Sequence, residues 1–197
     1  MPQARFNTSD LADPMVERIL DAAEKCIHRF GIRRTSMGEV ARVGGLSRGS
    51  IYRYFGDKEN LVQGVLARRQ ALFLNSTEAE LESLPTLVDK VTYTVVAARK
   101  DTEEGIFASL AQTEPETVAT MYLDPAFYRR SVAFWPPHIR AAQAAGEIST
   151  NVDVAAATDF VMRLAVSMTL FPDMGLSLKS RARIRAYLER MLLSGLG

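Results

Sequence analysis

Residues 37–55 read MGEVARVGGLSRGSIYRYF, a pattern of two short helices joined by a glycine turn. Two helices that cross steeply need a small residue where they touch, and Ala41 supplies one. The turn needs a residue with positive φ, which glycine adopts at little cost, and Gly45 stands four positions later. Leu46 and Ile51 then offer apolar side chains to pack the second helix on the first. The stretch therefore predicts a helix-turn-helix unit.

Capping residues mark helices within and after this unit. Ser36 and Glu39 have the spacing of a capping box, in which each side chain accepts a backbone N–H of the first turn. Ser47 is the N-cap expected for the second helix, which runs to Phe55. Asp57 is the N-cap expected for a following helix that extends to about residue 75.

A longer helix precedes the unit. Asp13 is a natural N-cap with Pro14 at the first helical position, and Gly31 is expected to end the helix. Apolar side chains recur on one face of this segment, at Val16, Ile19, Leu20, Ala23, Ile27 and Phe30. The spacing of three and four predicts that this face is buried.

The rest of the chain is also helical in pattern. Prolines and glycines separate the segments, and no alternating apolar pattern lasts for the length of a strand. We expect an all-α fold of nine or ten helices. We expect residues 1–60 to form a helix-turn-helix domain and residues 61–197 to form a second helical domain.

The composition of the 197 residues is that of a folded, water-soluble protein, with 47% hydrophobic and 24% charged residues. Residues 1–70 hold twelve Lys and Arg against eight Asp and Glu, whereas residues 71–197 hold twelve against fifteen. The basic first part is compatible with a polyanionic partner. Apolar stretches are too short for a membrane span, so we expect no membrane partner. The single cysteine, Cys26, suits a reducing cytoplasm.

The second helix of the unit carries the features of a DNA reader. In a helix-turn-helix protein, the first residues of this helix meet base edges in the major groove. Arg48 can donate two hydrogen bonds to guanine O6 and N7. Gly49 lets the backbone approach the groove closely. Tyr52 and Tyr54 can donate hydroxyls to phosphates, and Lys58 adds a charge.

Residues 17–66 resemble the DNA-binding region of the TetR family of regulators. The matching pieces are Ile19–Ala23, Phe30–Gly31, Thr35–Ser36, Val40–Ala41, Gly45–Ser47, Ile51–Tyr52, Tyr54–Phe55, Lys58–Glu59 and Leu61. By position, the resemblance implies phosphate contacts from Thr35, Ser36, Tyr52, Tyr54 and Lys58. It implies contacts with bases or nearby backbone from Ser47, Arg48, Gly49, Ser50 and Arg53. Two departures are Tyr54, where the family often has histidine, and Gly38, which costs helix stability.

The resemblance further implies a homodimer that binds a palindromic DNA operator and responds to a small-molecule effector. It implies that residues 1–60 are the DNA-binding domain and that residues 61–197 are the ligand-binding and dimerisation domain. Repression is the usual outcome in the family, and activation stays open. Two apolar helical faces near the C-terminus are the candidates for the dimer interface, with closure of the chain's own core as the alternative. The interface residues predicted are Val161, Leu164, Met168, Phe171, Ile184, Leu188 and Met191.

Large apolar residues in the middle helices are the candidates for an effector site, which would favour a largely apolar ligand. They are Phe107, Met121, Tyr122, Phe127, Tyr128, Phe134, Trp135, Met162 and Met168. The same residue types fill protein cores, so the pattern does not separate a pocket from a core.

Two other classes of function compete with this interpretation. An enzyme would need a catalytic group, but His28 and His138 lack metal-ligand spacing and no nucleophile motif is present. We predict no catalytic residue, no metal and no cofactor. An architectural protein that binds DNA without sequence preference would need a broader basic surface. Competition with unrelated duplex separates this alternative from a specific regulator.

Overall fold

The computed structural model of the chain describes residues 12–171 and 177–196. The all-α prediction is confirmed, and the described residues contain no strand. The helices are α1 (Pro14–Arg34), α2 (Met37–Gly44), α3 (Arg48–Phe55), α4 (Lys58–Leu81), α5 (Leu87–Glu103), α6 (Gly105–Thr113), α7 (Pro115–Leu123), α8 (Pro125–Phe134), α9 (Pro136–Ala144), α10 (Val154–Leu170) and α11 (Arg181–Leu196).

These eleven helical segments compare with the nine or ten expected. Trp135 joins α8 to α9, and its own backbone is helical, with φ −81° and ψ −31°. Pro136 and Pro137 withhold the N–H groups that would continue the ladder, so the helix is interrupted there without a loop. Counted as one interrupted helix, α8 and α9 bring the number to ten.

Two helix ends differ from the sequence prediction. Gly31 kinks α1 with φ 78° and ψ 169°, and one more helical turn follows before Thr35. Helix α4 runs to Leu81 rather than to about residue 75. Thr77 and Leu81 are both buried, so the apolar face of α4 continues beyond the predicted end.

The chain forms two compact units. The first contains residues up to 73 together with residues 102–121, and the second contains residues 74–101 and 122–197. Residues 102–121 lie in the part of the sequence that was assigned to the ligand-binding region. They belong to the first unit because Ile106, Phe107 and Leu110 are buried and α6 packs on α1.

The core of the first unit is the predicted apolar face of α1. Val16, Ile19, Leu20, Ala23 and Ile27 are all buried. Charge-assisted hydrogen bonds also join the solvent side of α1 to α4. The guanidinium of Arg68, only 6% exposed, donates to Glu17 at 3.0 Å, Asp21 at 2.6 Å and Glu24 at 2.5 Å.

The second unit has a core built from α5, α8, α9, α10 and α11. Trp135 and Ile139 come from the α8–α9 segment, Val161 from α10, and Ile184 and Leu188 from α11. All five side chains are at most 2% exposed.

We expect Arg68→Met to lower the free energy of unfolding by about 2–4 kcal/mol, because three carboxylates would then lie together without their cation. Arg163→Met is the control, since Arg163 is 74% exposed and pairs with Asp159 on the same helix. Exposed pairs of that kind contribute about 0.3–0.5 kcal/mol. Urea denaturation measures both variants, and equal losses would contradict the role given to Arg68.

Candidate nucleic-acid interface

The turn between α2 and α3 is closed by backbone hydrogen bonds. Gly45 has φ 59° and ψ 41°, the left-handed conformation predicted for it. The N–H of Leu46 donates to the carbonyl of Ala41 at 2.9 Å, and that of Gly45 donates to Arg42 at 3.4 Å. This pair is the Schellman arrangement, which ends a helix and turns the chain sharply. The turn therefore sets the direction in which α3 leaves α2.

A side chain from α1, which belongs to no motif of the sequence, also supports this turn. The Arg18 guanidinium donates to the carbonyl of Gly44 from Nε at 3.1 Å and from Nη2 at 2.9 Å. Nη2 also donates to the carbonyl of Gly45 at 3.2 Å. The cation thereby satisfies carbonyls at the C-terminal end of α2, where the helix dipole is negative. A basic residue on the exposed face of α1 was the only sequence signal for this role.

The first turn of α3 is capped as predicted and faces outward. Ser47 Oγ accepts the backbone N–H of Ser50 at 3.0 Å and lies 2.9 Å from Ser50 Oγ. Arg48 and Gly49 are exposed, whereas Ile51 and Phe55 are buried and anchor the helix. The residue types that read base edges thus stand on the side of α3 that faces solvent.

The Arg48 side chain lies beside Gly38 of α2. A Cβ placed on Gly38 would lie 3.6 Å from Nε and Cζ of Arg48, an ordinary van der Waals contact. The position of the guanidinium therefore does not depend on a glycine at residue 38. Nearby, Arg42 donates a hydrogen bond to Glu39, which lowers the pKa of that carboxyl and keeps it ionised.

The last part of α3 presents aromatic and basic groups. Tyr52 is 46% exposed, Arg53 is exposed and Tyr54 is half-buried. The Arg53 guanidinium lies over the Tyr54 ring, 5.2 Å from its centroid. Hydroxyl and guanidinium donors at this end of the helix suit phosphate oxygens.

In the loop before α2, the surroundings of Thr35 differ from the phosphate contact predicted for it. Thr35 is buried, at 3% exposure, and its hydroxyl donates to the Gly31 carbonyl at 2.7 Å. The side chain is therefore committed to closing α1 and cannot reach a phosphate in this conformation. Ser36 is exposed and its Oγ accepts the N–H of Glu39 at 3.2 Å, so its own proton can still be donated. Lys58 Nζ donates to the carbonyl of Arg33 at 2.9 Å.

The nine effector-site candidates divide between the units. Phe107 and Met121 belong to the first unit, and the other seven belong to the second. Trp135, Met162 and Met168 are members of the second unit's core. The remaining four are half-buried: Tyr122, Phe127, Tyr128 and Phe134. None of the nine lines the groove of about 440 Å³ in the first unit, whose walls include Asp21, Glu24 and Arg69.

Two tyrosines among these candidates carry hydroxyls with defined surroundings. Tyr122 packs edge-on against Phe127, with ring centroids 5.1 Å apart. Burial raises the pKa of Tyr122 to about 12, with a smaller contribution from Asp101. The hydroxyl is therefore protonated at neutral pH. Tyr128 donates its hydroxyl to the carboxylate of Asp159 on α10.

The predicted dimer interface needs a correction for four of its seven residues. Val161, Met168, Ile184 and Leu188 are at most 3% exposed and belong to the chain's own core, so they have no surface left for a partner. Periodicity marked them as buried but could not tell which surface covers them. Leu164 is half-buried. Phe171 is 54% exposed and Met191 43%.

Cys26 and His138 both have buried side chains. Burial raises the pKa of the Cys26 thiol, and the nearby Glu39 carboxylate raises it further. His138 is buried and its Nε2 lies 3.0 Å from a carboxylate oxygen of Glu78.

In the part of the chain that the structure describes, His, Cys, Asp and Glu do not gather into a group of three that suits a metal ion. None of the described helices combines the length and apolarity needed to cross a bilayer.

The geometry of α2 and α3 is that of a helix-turn-helix unit. The chain is similar to the TetR family over residues 19–65, which match the family model described as bacterial regulatory proteins, tetR family. The chain is 36% identical over 59 residues to the HTH-type transcriptional regulator TtgR of Pseudomonas putida. These 59 residues are 30% of this chain and 28% of TtgR. The sequence match with that relative thus covers less than a third of its length.

Solved structures share the fold over nearly the whole chain. A TetR-family transcriptional regulator from Pectobacterium atrosepticum superposes with a TM-score of 0.70 at 19% identity, covering 97% of both chains. The regulator FadR of Bacillus subtilis, solved in complex with stearoyl-CoA, gives a TM-score of 0.63 at 16% identity, covering 92% of this chain and 99% of FadR. At these identities the likeness concerns the fold alone.

We expect Gly45→Ala to lower the free energy of unfolding by about 1–2 kcal/mol, because an L residue is strained at the left-handed φ of Gly45. Gly49→Ala is the matched control in the same motif. A Cβ at Gly49 would meet its nearest neighbour, Ser47 Oγ, at 3.8 Å, so alanine fits the first turn of α3. Thermal unfolding followed by circular dichroism measures both. Equal midpoints for Gly45→Ala and wild type would contradict the turn geometry.

Proposed function

We propose that the chain is a ligand-responsive transcriptional repressor that binds a near-palindromic DNA operator as a homodimer in the cytoplasm. The observation that carries the proposal is the outward face of α3. Ser47, Arg48, Gly49 and Arg53 stand exposed on a helix whose Ile51 anchors it to the first unit. This arrangement suits entry of the helix N-terminus into the major groove.

The chemistry of the side chains determines which residues of this face are proposed to contact bases and which are proposed to contact phosphates. Arg48 offers a planar pair of donors that matches O6 and N7 of guanine. Gly49 leaves room for close approach of the backbone, because a Cβ there would stand in nearly open space. Ser36, Tyr52, Tyr54 and Lys58 surround this face with phosphate donors, which position the helix without reading sequence.

A homodimer follows from the need for two recognition helices, one in each half-site of the operator. We place the partner on the outward faces of α10 and α11. Phe160 is 38% exposed, Phe171 54% and Met191 43%, and Leu164 lies between the two phenylalanines. Exposed apolar side chains on one face are typical of association surfaces.

The effector is proposed to be largely apolar and to bind among the aromatic residues of the middle helices. FadR of Bacillus subtilis, which shares the fold, was solved with stearoyl-CoA. The effector releases the DNA only if it binds the released conformation more tightly than the DNA-bound one. In that conformation the two recognition helices are wrongly spaced for the operator.

The function is tested by selecting bound duplexes from a randomised library at physiological salt. A specific regulator recovers one inverted repeat with half-sites about one helical turn apart or somewhat more. Recovery of unrelated sequences, competed equally by any duplex, would indicate sequence-tolerant binding instead.

We expect Arg48→Ala to weaken binding to the selected duplex by about 1–3 kcal/mol and to relax the preference at one base pair in each half-site. Lys58→Ala is the contrasting variant. It should weaken binding to all duplexes alike and lower the slope of log affinity against log salt by about one unit per subunit. Titrations by fluorescence anisotropy measure both, and an unchanged base preference in Arg48→Ala would refute the assignment of α3.

We expect Leu164→Glu to dissociate the homodimer, because the buried charge has no cation opposite it in a symmetric apolar interface. The control is Leu123→Glu, since Leu123 is 81% exposed and lies outside α10 and α11. Sedimentation equilibrium gives the mass of each variant. A dimer that persists in Leu164→Glu would move the interface to another surface.

A further inference from the structure

One buried acid lies at the end of α6, against the part of α1 that leads into the helix-turn-helix. Glu114 is 4% exposed, and its Oε1 accepts the backbone N–H of Arg33 at 2.9 Å. Glu114 follows α6 directly and precedes α7. Residues 114 and 33 both belong to the first unit. The hydrogen bond therefore joins Glu114 to the last turn of α1, 81 residues earlier in the chain.

The backbone of α1 is shaped to receive this carboxylate. Gly31 adopts φ 78°, which glycine alone takes up without strain. A Cβ at Gly31 would collide with Oε1 of Glu114. The missing side chain and the kink together open the space that Glu114 fills. The carboxylate then caps the turn at Ile32–Arg34, as an N-cap side chain would.

The backbone of the same residue, Arg33, also holds a predicted phosphate-contact residue. The carbonyl of Arg33 accepts from Lys58 Nζ at 2.9 Å, while the N–H of Arg33 donates to Glu114. Thr35, two residues later, closes the turn with its hydroxyl on Gly31. A displacement of the Arg33 backbone would therefore move the ammonium of Lys58. Lys58 begins α4, directly after the recognition helix.

We propose that Glu114 is a positioning residue for DNA binding, which sets the place of Lys58 through the backbone of Arg33. The inference rests on the proposed DNA-binding function and deepens it. No contact between Glu114 and DNA is required.

The test compares two conservative replacements of Glu114 that differ in whether the side-chain oxygen can still reach the backbone N–H of Arg33. Glu114→Gln keeps an acceptor oxygen at the same distance, so operator affinity should stay within about twofold of wild type. Glu114→Asp keeps the charge but withdraws the oxygen by one methylene, beyond hydrogen-bonding distance of the Arg33 N–H. Its affinity should fall about tenfold, and hydrogen exchange at the Arg33 amide should accelerate.

A matched control separates this contact from its surroundings. Glu116 forms an exposed ion pair with the Arg33 side chain, so Glu116→Ala removes a charge from the same helix pair and leaves the backbone bond intact. Its operator affinity should stay within about twofold of wild type, since exposed pairs contribute little.

A double-mutant cycle with Lys58→Ala identifies the route. If Glu114 acts through Lys58, Glu114→Asp should cost less than about threefold in a Lys58→Ala background. An equal loss in both backgrounds, or no loss in wild type, would overturn the inference while leaving the proposed function intact. Failure of wild type to select any duplex would instead remove the proposed function, and the inference with it.

Discussion

The left-handed backbone of Gly45 is the constraint on which the arrangement of the first unit depends. Because its φ is positive, the chain reverses within one residue and α3 leaves α2 at a fixed angle. Arg18 holds the same turn from α1 through the carbonyls of Gly44 and Gly45. With that turn fixed, Ile51 is buried and Arg48 faces outward. The direction of the exposed face of α3, which is proposed to read DNA, is thus a consequence of the backbone conformation at Gly45.

Charged side chains around this surface act through backbone groups as well as through ion pairs. Arg18 and Lys58 donate to carbonyls, and Glu114 accepts an N–H. Such bonds fix the course of the main chain near the turn and the loop before α2. By contrast, Arg68 joins three carboxylates of α1 and holds α4 beside it. The residues proposed to face DNA are therefore supported by polar contacts at the surface and by apolar packing in the interior of the first unit.

The features that sequence predicted well are local ones. The N-caps Asp13, Ser36 and Ser47 accept the expected backbone N–H groups, because a cap is determined by the residue and the few that follow it. Gly45 was predictable for the same reason. The apolar face of α1 was also correct, since helical spacing alone decides which residues share a face.

The features that sequence missed depend on distant neighbours. Thr35 was predicted to contact a phosphate, but its side chain is buried and its hydroxyl donates to the carbonyl of Gly31. Glu114 binds a backbone group 81 residues away, which no local pattern indicates. Val161 and Leu188 were predicted to face a partner, and both are covered by the chain's own core. Periodicity shows that a helix face is buried, but it does not show by what.

Chemical probing of the selected duplex tests most directly whether α3 enters the major groove. Dimethyl sulfate methylates guanine N7, which lies in the major groove, and adenine N3, which lies in the minor groove. The account predicts that bound protein protects guanine N7 in two regions about one helical turn apart or somewhat more, and that Arg48→Ala loses one protected guanine in each region. Protection of adenine N3 with guanine N7 left reactive would contradict it.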